Sequence, residues 1–549
     1  MKIILYQVLP RLYGNRNTHC VSGGTIAQNG CGKLNDFTPS VLKRFREMGI
    51  SHVWYTGVIR HATQTDYTQY GIPKQHPAVV KGQAGSPYAI ADYYDVDPDL
   101  AVSVPERMQE FLKLVNRTHR AGLKVIIDFV PNHVARQYKS ICKPEGVKDL
   151  GEDDRQENGF DPQNNFYYCP GQHFMPYFDL YSGEEHPYDE FPARATGNDC
   201  FHNAPNQNDW YETVKLNYGV DYYAGRQGHF DPIPDTWLKM LDILMFWAAK
   251  GVDGFRCDMA EMVPAEFWAW ATERVKEQHP GLIFIGEVYN PAEYRRYLAS
   301  GFDYLYDKVG MYDAMREVIC HRRGTNDITW AWQQNDDIRE HMLYFLENHD
   351  EQRIASDFFA ANGRKAVPAL IANLLMYKNP FMFYAGQEYG EHGMDKEGFS
   401  GHDGRTTIFD YWSVDTLKRA AEEKLTDEEL ALANLYSKVL SIARNERAIG
   451  EGLSFDLMYV NGLLFRQYAF IRKAQDEVIF VAVNFADISS KTDIVVPAHA
   501  FDYLELNEKV YQTTDLLTGK SYELPLKRDG KVSLTLESRG GVALKFKAK

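Results

Sequence analysis

Short apolar runs alternate with longer amphipathic stretches over the first 450 or so residues of the chain. The runs "KIILYQVL", "SHVWYTGVI" and "LKVIIDFV" predict β-strands, and segments with helical periodicity lie between them. One such segment begins after Thr38, a predicted N-cap, and is expected to stop at Gly49. Alternating strands and helices indicate right-handed βαβ units on a parallel sheet. About eight strands are predicted, which favours a closed (β/α)8 TIM barrel over an open sheet.

Two parts of the chain depart from this alternation. Residues 134–224 contain no clean βα unit and are rich in Asn, Pro, Gly and aromatic residues. A structureless connection of that length is uncommon in a compact domain, so we predict an inserted domain after the third strand. Runs such as "EVIFVAVNF" near the C-terminus alternate with turn signals and predict a β-sandwich. The predicted division is barrel (1–133), inserted domain B (134–224), barrel (225–450) and C-terminal β-sandwich domain C (451–549).

Charge and composition narrow the class of ligand. The net charge of −15 over 549 residues argues against nucleic acid or an anionic membrane as a partner. The 35 Tyr, 30 Phe and 9 Trp are either ordinary core and surface residues or the walls of a small-ligand cleft. No apolar run approaches the length of a membrane span. A neutral small molecule is therefore the expected ligand.

The cysteines and the N-terminus bear on cellular location. Seven cysteines are scattered without zinc-like spacing, and reduced thiols in the cytoplasm account for them most simply. The apolar stretch at the N-terminus is broken by Gln7 and Arg11, too early for a signal peptide. We therefore expect a cytoplasmic protein, or a periplasmic or secreted one if a leader has been removed.

Four short segments place polar residues at the ends of predicted barrel strands. They are "DFVPNH" (128–133), "GFRCD" (254–258), "IGEV" (285–288) and "FLENHD" (345–350). A single acid or histidine at a strand end is usually a loop or surface residue. In a (β/α)8 barrel, however, all strand C-termini open on one face, where active sites lie. The side chains expected to converge there are Asp128, His133, Arg256, Asp258, Glu287, His349 and Asp350.

Arg256 and Asp258 are two residues apart, so on a strand they point to the same side. Such a pair is either a structural ion pair or one edge of an active site. Three clustered carboxylates bind a metal or cleave a glycosidic bond, and a nearby arginine disfavours the metal. An arginine beside a carboxylate suits instead a nucleophile that must stay ionised. Glu287, preceded by an apolar run and close to negative charge, would be the protonated partner of a retaining glycosidase, at a separation of about 5–5.5 Å.

These motifs together resemble the α-amylase family of glycoside hydrolases, family 13. The four segments stand in the family's order, and a fifth motif is present as "TVKLN" (213–217). The stretch "SPYAIADYYDVDP" resembles the family's tyrosine-bearing loop. The resemblance covers barrel, inserted domain and C-terminal sandwich, and the combined motifs are specific although each alone is weak.

The resemblance implies a role for each site residue. Asp258 would be the nucleophile, Glu287 the general acid/base, and Asp350 a third carboxylate that binds sugar hydroxyls. Arg256 would orient Asp258, and Asp128 would support the site from behind. His133 and His349 would hydrogen-bond the sugar in the cleavage subsite, and Tyr88 would stack on it.

The chain departs from the family pattern at two places. Glu261 and Met262 stand where many α-amylases have a Lys–His pair that contacts the leaving-side sugars. Glu261 is then either a solvated loop acid or an acceptor for hydroxyls of the first leaving-side sugar. Lys215 stands where many members have an acid that binds calcium, although Asn132 still matches a calcium ligand. We therefore expect no required cofactor, with calcium as the open alternative. "TVKLN" is similar to the motif of neopullulanases, cyclodextrinases and maltogenic amylases.

The resulting hypothesis is a retaining hydrolase that cleaves α-1,4 bonds of starch-derived malto-oligosaccharides. A transglycosidase or isomerase of the same family is the first alternative, since both use a covalent intermediate. A non-catalytic, amylase-like binding protein is the second, but its usual signature is a missing carboxylate. Without the resemblance, a metal-dependent barrel hydrolase would be a further alternative, which chelator-insensitive activity would exclude.

Overall fold

The computed structural model describes residues 2–184 and 186–548. Eight parallel strands close a barrel in which each strand pairs with its neighbours in the chain and the last pairs with the first, as predicted. The strands are β1 (Ile4–Val8), β2 (His52–Tyr55), β3 (Lys124–Phe129), β4 (Gly254–Cys257), β5 (Ile283–Gly286), β6 (Tyr304–Tyr306), β7 (Met342–Phe345) and β8 (Phe381–Tyr384). Nearly all their residues are buried, as expected for a parallel sheet covered by helices.

Helices surround the barrel. The first begins at Pro39 after Thr38, whose hydroxyl accepts the amide of Val41, and ends at Met48 before Gly49 with φ 101°. Both boundary residues were predicted from the sequence. The helices of six or more residues are α1 (Pro39–Met48), α2 (Arg107–Arg120), α3 (Asp235–Ala249), α4 (Ala265–Gln278), α5 (Tyr294–Ala299), α6 (Asp313–Ile319), α7 (Asn326–Gln333), α8 (Val367–Leu375), α9 (Asp415–Ala421), α10 (Asp427–Asn445) and α11 (Ala498–Leu504).

The inserted segment after β3 is built from short antiparallel pairs and turns. The buried Arg136 side chain, 2.7 Å from Glu190, ties its strands together. The last pair ends at Gly228, and α3 of the barrel begins at Asp235. Its paired strands are His133–Ala135 with Thr213–Lys215, Tyr168–Cys169 with Ala193–Arg194, and Val220–Asp221 with Gln227–Gly228.

The C-terminal region consists of two antiparallel sheets, as the turn signals predicted. Six strands form one sheet and two form the other, and side chains of both share one apolar core. The strands are β9 (Leu453–Asp456), β10 (Gln467–Ala474), β11 (Glu477–Asn484), β12 (Ser490–Val496), β13 (Lys509–Asp515), β14 (Ser521–Leu526), β15 (Gly530–Leu536) and β16 (Gly540–Lys547).

Two further observations concern location. All seven cysteines carry free thiols. Across residues 2–184 and 186–548, none of the helices has the length and apolarity needed to cross a membrane. The cytoplasmic location stays a prediction.

Arg472 joins the sandwich to the barrel. Its side chain is buried on β10, and its guanidinium donates to the carbonyls of Ala448, Ile449, Gly452 and Met376. Burial lowers the pKa of Arg472 to about 10, which leaves the side chain charged at neutral pH. The positive charge is thus stabilised by backbone carbonyl groups on the barrel side of the junction.

Arg472→Met should destabilise this junction, because it leaves buried carbonyls without donors at about 1–3 kcal/mol each. We expect a lower melting temperature for the C-terminal transition in calorimetry. Arg447→Met, at a side chain that is 54% exposed nearby, is the matched control and should have little effect. Equal melting curves for the two variants would contradict the interpretation.

Candidate active site

The guanidinium of Arg256 is the centre of the site at the C-terminal end of the barrel. It has no solvent exposure, and strand pairing places Arg256 beside Asp128 on β3. Its Nη1 lies 2.8 Å from Asp258 Oδ1 and 3.4 Å from Asp128 Oδ1, while Nη2 lies 2.7 Å from Glu287 Oε2. Its Nε donates to the hydroxyl of Tyr306 at 3.2 Å. Three carboxyl groups from three adjacent strands therefore share one cation.

Backbone contacts fix the two acids that Arg256 bridges. The amide of Asp258 donates to the carbonyl of Phe129 at 2.9 Å, which keeps the chain in sheet register just past β4. Met259 then takes a left-handed conformation with φ 44°, and its amide donates to Glu287 Oε2 at 2.8 Å. A non-glycine residue in this conformation is strained, and such strain is common at functional sites. The turn thus connects the end of β4 directly to the acid on β5.

Burial dominates the protonation of the carboxyls. It raises the pKa of Asp258 well above its usual range, with Arg256 opposing and the carboxylates of Glu287 and Asp350 reinforcing the shift. Burial likewise raises the pKa of Asp128 to about 6. The sequence predicted that Arg256 would favour the ionised form of Asp258. Arg256 does lower the pKa of Asp258, but burial raises it by more. The guanidinium is shared among three acids, so it does not outweigh desolvation at Asp258.

The surroundings of Glu287 also differ from the expectation. The sequence predicted an apolar and negatively charged neighbourhood, but the nearest charged group is the Arg256 guanidinium, 2.7 Å away. On its other side, Oε1 accepts a hydrogen bond from the hydroxyl of Tyr289 at 2.5 Å. Glu287 is therefore surrounded by donors.

Asp350 and His349 lie together at the end of β7. Asp350 Oδ2 is 3.1 Å from His349 Nε2, and its side chain keeps 40% of its surface open, unlike the two buried acids. Enclosure at the cleft and the Glu287 carboxylate raise the pKa of Asp350 to about 7. Burial and Arg256 lower the pKa of His349 well below its usual range, so the ring is neutral. Gln7 Nε2 donates to its Nδ1 at 2.7 Å, which leaves Nε2 to carry the proton.

Tyr88 and His133 complete the predicted set. The Tyr88 ring stacks on His349 with 5.2 Å between centroids, and its hydroxyl bonds His349 Nε2. His133 lies against Trp210, with ring centroids 5.3 Å apart. Burial and the charges of Lys215 and Lys81 lower the pKa of His133 to about 3, so this ring is neutral as well. The seven residues expected to converge do lie around one site.

A cavity of about 270 Å³ opens over these groups. Of the predicted residues, Tyr88, His133, Asp258, Glu287 and Asp350 line it, while Arg256 and Asp128 lie beneath it. A larger, open groove of about 960 Å³ runs between the end of α10 and the sandwich and contains none of the converging acids. The smaller cavity is therefore the candidate active site.

Sequence reasoning missed several residues of this cavity. Tyr289 follows Glu287 by two positions, and Trp210 and Glu212 immediately precede the fifth motif, so proximity to motifs could have indicated them. Lys81 has no such signal, and its Nζ lies 2.9 Å from Glu212 Oε2. The lining residues outside the predicted set are Lys81, Ser86, Trp210, Glu212, Thr213, Met259, Tyr289, Ile408 and Phe409.

Glu261 lies apart from this cavity lining. Its Oε2 accepts the backbone amide of Asn290 at 3.0 Å, and its carbonyl accepts the hydroxyl of Tyr297. The side chain thus braces the loop after β5. This contact favours the structural interpretation of Glu261 over direct contact with a leaving-side sugar.

Lys215 is buried in the inserted domain next to the barrel. Its Nζ donates to Asn132 Oδ1 at 2.7 Å and lies 2.7 Å from Asp199 Oδ1. These are the oxygens that a hard cation such as calcium would need. Because the ammonium group already occupies the space between them, the residues present do not fit a calcium ion at this place.

Comparison with known proteins agrees with the geometry. The family model described as "Alpha amylase, catalytic domain" matches residues 7–434. The chain belongs to the α-amylase family. It is 24% identical to "Alpha-amylase 3" of Dictyoglomus thermophilum over 393 residues, covering 66% of this chain and 68% of that protein. It is 22% identical to "Neopullulanase 2" of Thermoactinomyces vulgaris over 561 residues, covering 98% of this chain and 77% of that protein.

Solved structures give the same architecture. The structure of a noncanonic maltogenic α-amylase, AmyB from Thermotoga neapolitana, superposes with a TM-score of 0.64 at 19% identity, covering 100% of this chain and 99% of that one. At this identity the likeness concerns the fold alone. Family membership makes the protein a family 13 glycoside hydrolase or transferase acting on α-glucans, with the retaining chemistry general to the family.

The contacts of Lys215 generate a prediction about metal. Activity and melting temperature should be unchanged by a strong calcium chelator, because the protein's own ammonium group bridges the oxygen ligands. Lys215→Met should lower the free energy of unfolding by about 1–3 kcal/mol, since buried acceptors lose their donor. Lys148→Met, at a surface pair in the same domain, is the control. A large melting-temperature drop on chelation, reversed by calcium, would contradict this prediction.

Proposed function

We propose that the protein hydrolyses α-1,4-glucosidic bonds of short malto-oligosaccharides with retention of configuration. The observation that carries this proposal is the position of Arg256 between Asp258 and Glu287 at the floor of a small cavity. One guanidinium contacting both acids keeps them close together. A short separation is what a double-displacement mechanism needs, because no water has to fit between the carboxyl pair and the sugar in the first step.

In the first step, an oxygen of Asp258 attacks the anomeric carbon as the bond from that carbon to the leaving oxygen breaks. Glu287 gives its proton to the leaving oxygen, and a glucosyl ester of Asp258 remains. In the second step, water attacks the same carbon, its proton returns to Glu287, and the ester bond to Asp258 breaks. Two inversions leave the product in the α configuration.

The remaining side chains supply binding. His133 and His349 are neutral, and the Nδ1 atoms of the two rings accept from the side-chain amides of Asn132 and Gln7, so each ring offers its Nε2–H to a sugar hydroxyl without adding charge. Asp350, the most exposed of the three acids, accepts hydrogen bonds from sugar hydroxyls. The ring of Tyr88 provides an apolar face for the sugar ring in the cleavage subsite.

The dimensions of the cavity support short substrates. Its volume of about 270 Å³ lies below the roughly 300–1,000 Å³ typical of pockets for drug-sized ligands. The cavity is lined by Trp210, by the Lys81–Glu212 ion pair and by Phe409.

Glucosyl transfer is the second candidate function. The cavity lining contains several apolar side chains, namely Trp210, Met259, Ile408 and Phe409. Such walls reduce the access of water to the covalent intermediate and favour a sugar hydroxyl as acceptor. Analysis of products at high and low substrate concentration distinguishes the two, since transfer gives products longer than, or linked differently from, the substrate.

Asp258→Asn and Glu287→Gln should each lower hydrolysis by at least about 10³-fold, because each removes one member of a catalytic pair. Asp153→Asn, at an exposed surface acid, is the matched control and should keep full activity. NMR of the first products should show the α-anomer. Initial release of the β-anomer would disprove the retaining assignment, and full activity of either acid variant would disprove its role.

The cavity volume predicts a preference among substrates. The kcat/KM should be higher for maltotriose and cyclodextrins than for insoluble starch, since only a short section of chain fits between the walls. Initial rates on maltose, maltotriose, pullulan, cyclodextrin and soluble starch would measure this order. Insoluble starch as the best substrate would contradict the short-substrate assignment.

A further inference from the structure

Tyr289 makes a contact with Glu287 that the mechanism above leaves unused. Its hydroxyl donates to Glu287 Oε1 at 2.5 Å, and its ring lines the cavity. Burial and the Glu287 carboxylate raise the pKa of Tyr289 well above its usual range. The hydroxyl therefore keeps its proton at any working pH and acts as a donor.

The two oxygens of Glu287 are not equivalent. Oε2 faces Arg256 Nη2 at 2.7 Å and accepts the amide of Met259 at 2.8 Å. The Met259 amide hydrogen points at this oxygen and the positive charge of Arg256 lies beside it, so a proton on Oε2 would be repelled by both. Oε1 is consequently the oxygen that carries the exchangeable proton, and Tyr289 is the side chain that contacts it.

We propose that Tyr289 is a positioning residue that assists proton transfer by Glu287, through a hydrogen bond that strengthens as Oε1 loses its proton. The proposal rests on the general acid/base role given to Glu287 above. When the proton moves to the leaving oxygen, negative charge develops on the carboxylate. The Tyr289 hydroxyl stabilises this charge in the transition state more than it stabilises the neutral acid.

The loop that carries Tyr289 is braced by the residue that was first considered a sugar ligand. Glu261 Oε2 accepts the amide of Asn290, the residue next to Tyr289. Glu261 in turn is held through its carbonyl by the hydroxyl of Tyr297 at 3.0 Å. Glu261 therefore acts on the reaction through the position of Tyr289, which gives this departure from the family pattern a physical role.

The test compares Tyr289→Phe with the parent enzyme on two substrates. Maltotriose has a poor leaving group that must be protonated, whereas α-glucosyl fluoride releases fluoride without a proton from Glu287. We expect kcat/KM on maltotriose to fall about 10- to 100-fold, the range for one hydrogen bond to a charged group, with the loss in kcat. On α-glucosyl fluoride, kcat/KM reports only the first step and should change less than about threefold.

A pH profile gives a readout that a merely structural role would not move. Loss of the donor disfavours the carboxylate, so the alkaline limb of kcat/KM on maltotriose should shift to higher pH in Tyr289→Phe. Glu261→Ala should show the same pattern more weakly, because it releases the loop. Tyr503→Phe, at a ring that is 50% exposed on the sandwich, is the matched control and should leave rate and profile unchanged.

Equal losses on both substrates would overturn the proposal and make Tyr289 a sugar-binding residue, and an unchanged Tyr289→Phe would overturn it as well. Circular dichroism and the melting temperature establish that each variant is folded. The proposed function fails separately: it is wrong if Glu287→Gln hydrolyses maltotriose at the parent rate. In that case the role of Tyr289 falls with it, whatever the result for Tyr289→Phe.

Discussion

A single buried guanidinium sets the arrangement of the whole active site. Three carboxyl groups at the end of one barrel would repel each other and resist burial without a cation among them. Arg256 supplies it, and the aromatic rings of Trp54, Tyr88 and Tyr306 lie with centroids 5.2–5.6 Å from its central carbon. Those ring faces offset part of the desolvation of the guanidinium. The strand register that places Arg256 beside Asp128 is thus a constraint on the catalytic groups as well as on the fold.

A second buried cation, Lys215, joins polar groups at the edge of the inserted domain. Lys215 lies between Asn132, at the end of β3, and Asp199, in the inserted segment. A protein ammonium group joins the two domains where a bound ion would otherwise be needed to neutralise the acid. The strand that contains Lys215 also pairs with His133. The position of His133 in the active site therefore depends on this internal cation.

The sequence predicted the barrel, the sandwich and the converging polar residues because each leaves a periodic or positional signal. Buried strands are apolar runs, and the ends of barrel strands share one face. Lys81, Ile408 and Phe409 lie on long connections with no period, so their approach to the cavity depends on tertiary packing. For Glu261 the sequence left a loop acid and a sugar ligand as alternatives, and the hydrogen bond that its side chain accepts from a backbone amide favours the first. The sharing of Arg256 among three acids is likewise visible only in the structure.

The histidines show how the site separates binding from proton transfer. His133, with a pKa of about 3, and His349, whose pKa lies well below its usual range, carry no charge near neutrality. Imidazole groups ordinarily titrate between pH 5 and 8, where they would make sugar binding depend on pH. Here burial and neighbouring cations move both out of that interval. Asp350, with a pKa of about 7, and Asp128, with a pKa of about 6, do titrate near neutrality. The pH dependence of activity therefore reports the acids, including the contact of Asp350 with the sugar, while the contacts made by the two histidines stay constant.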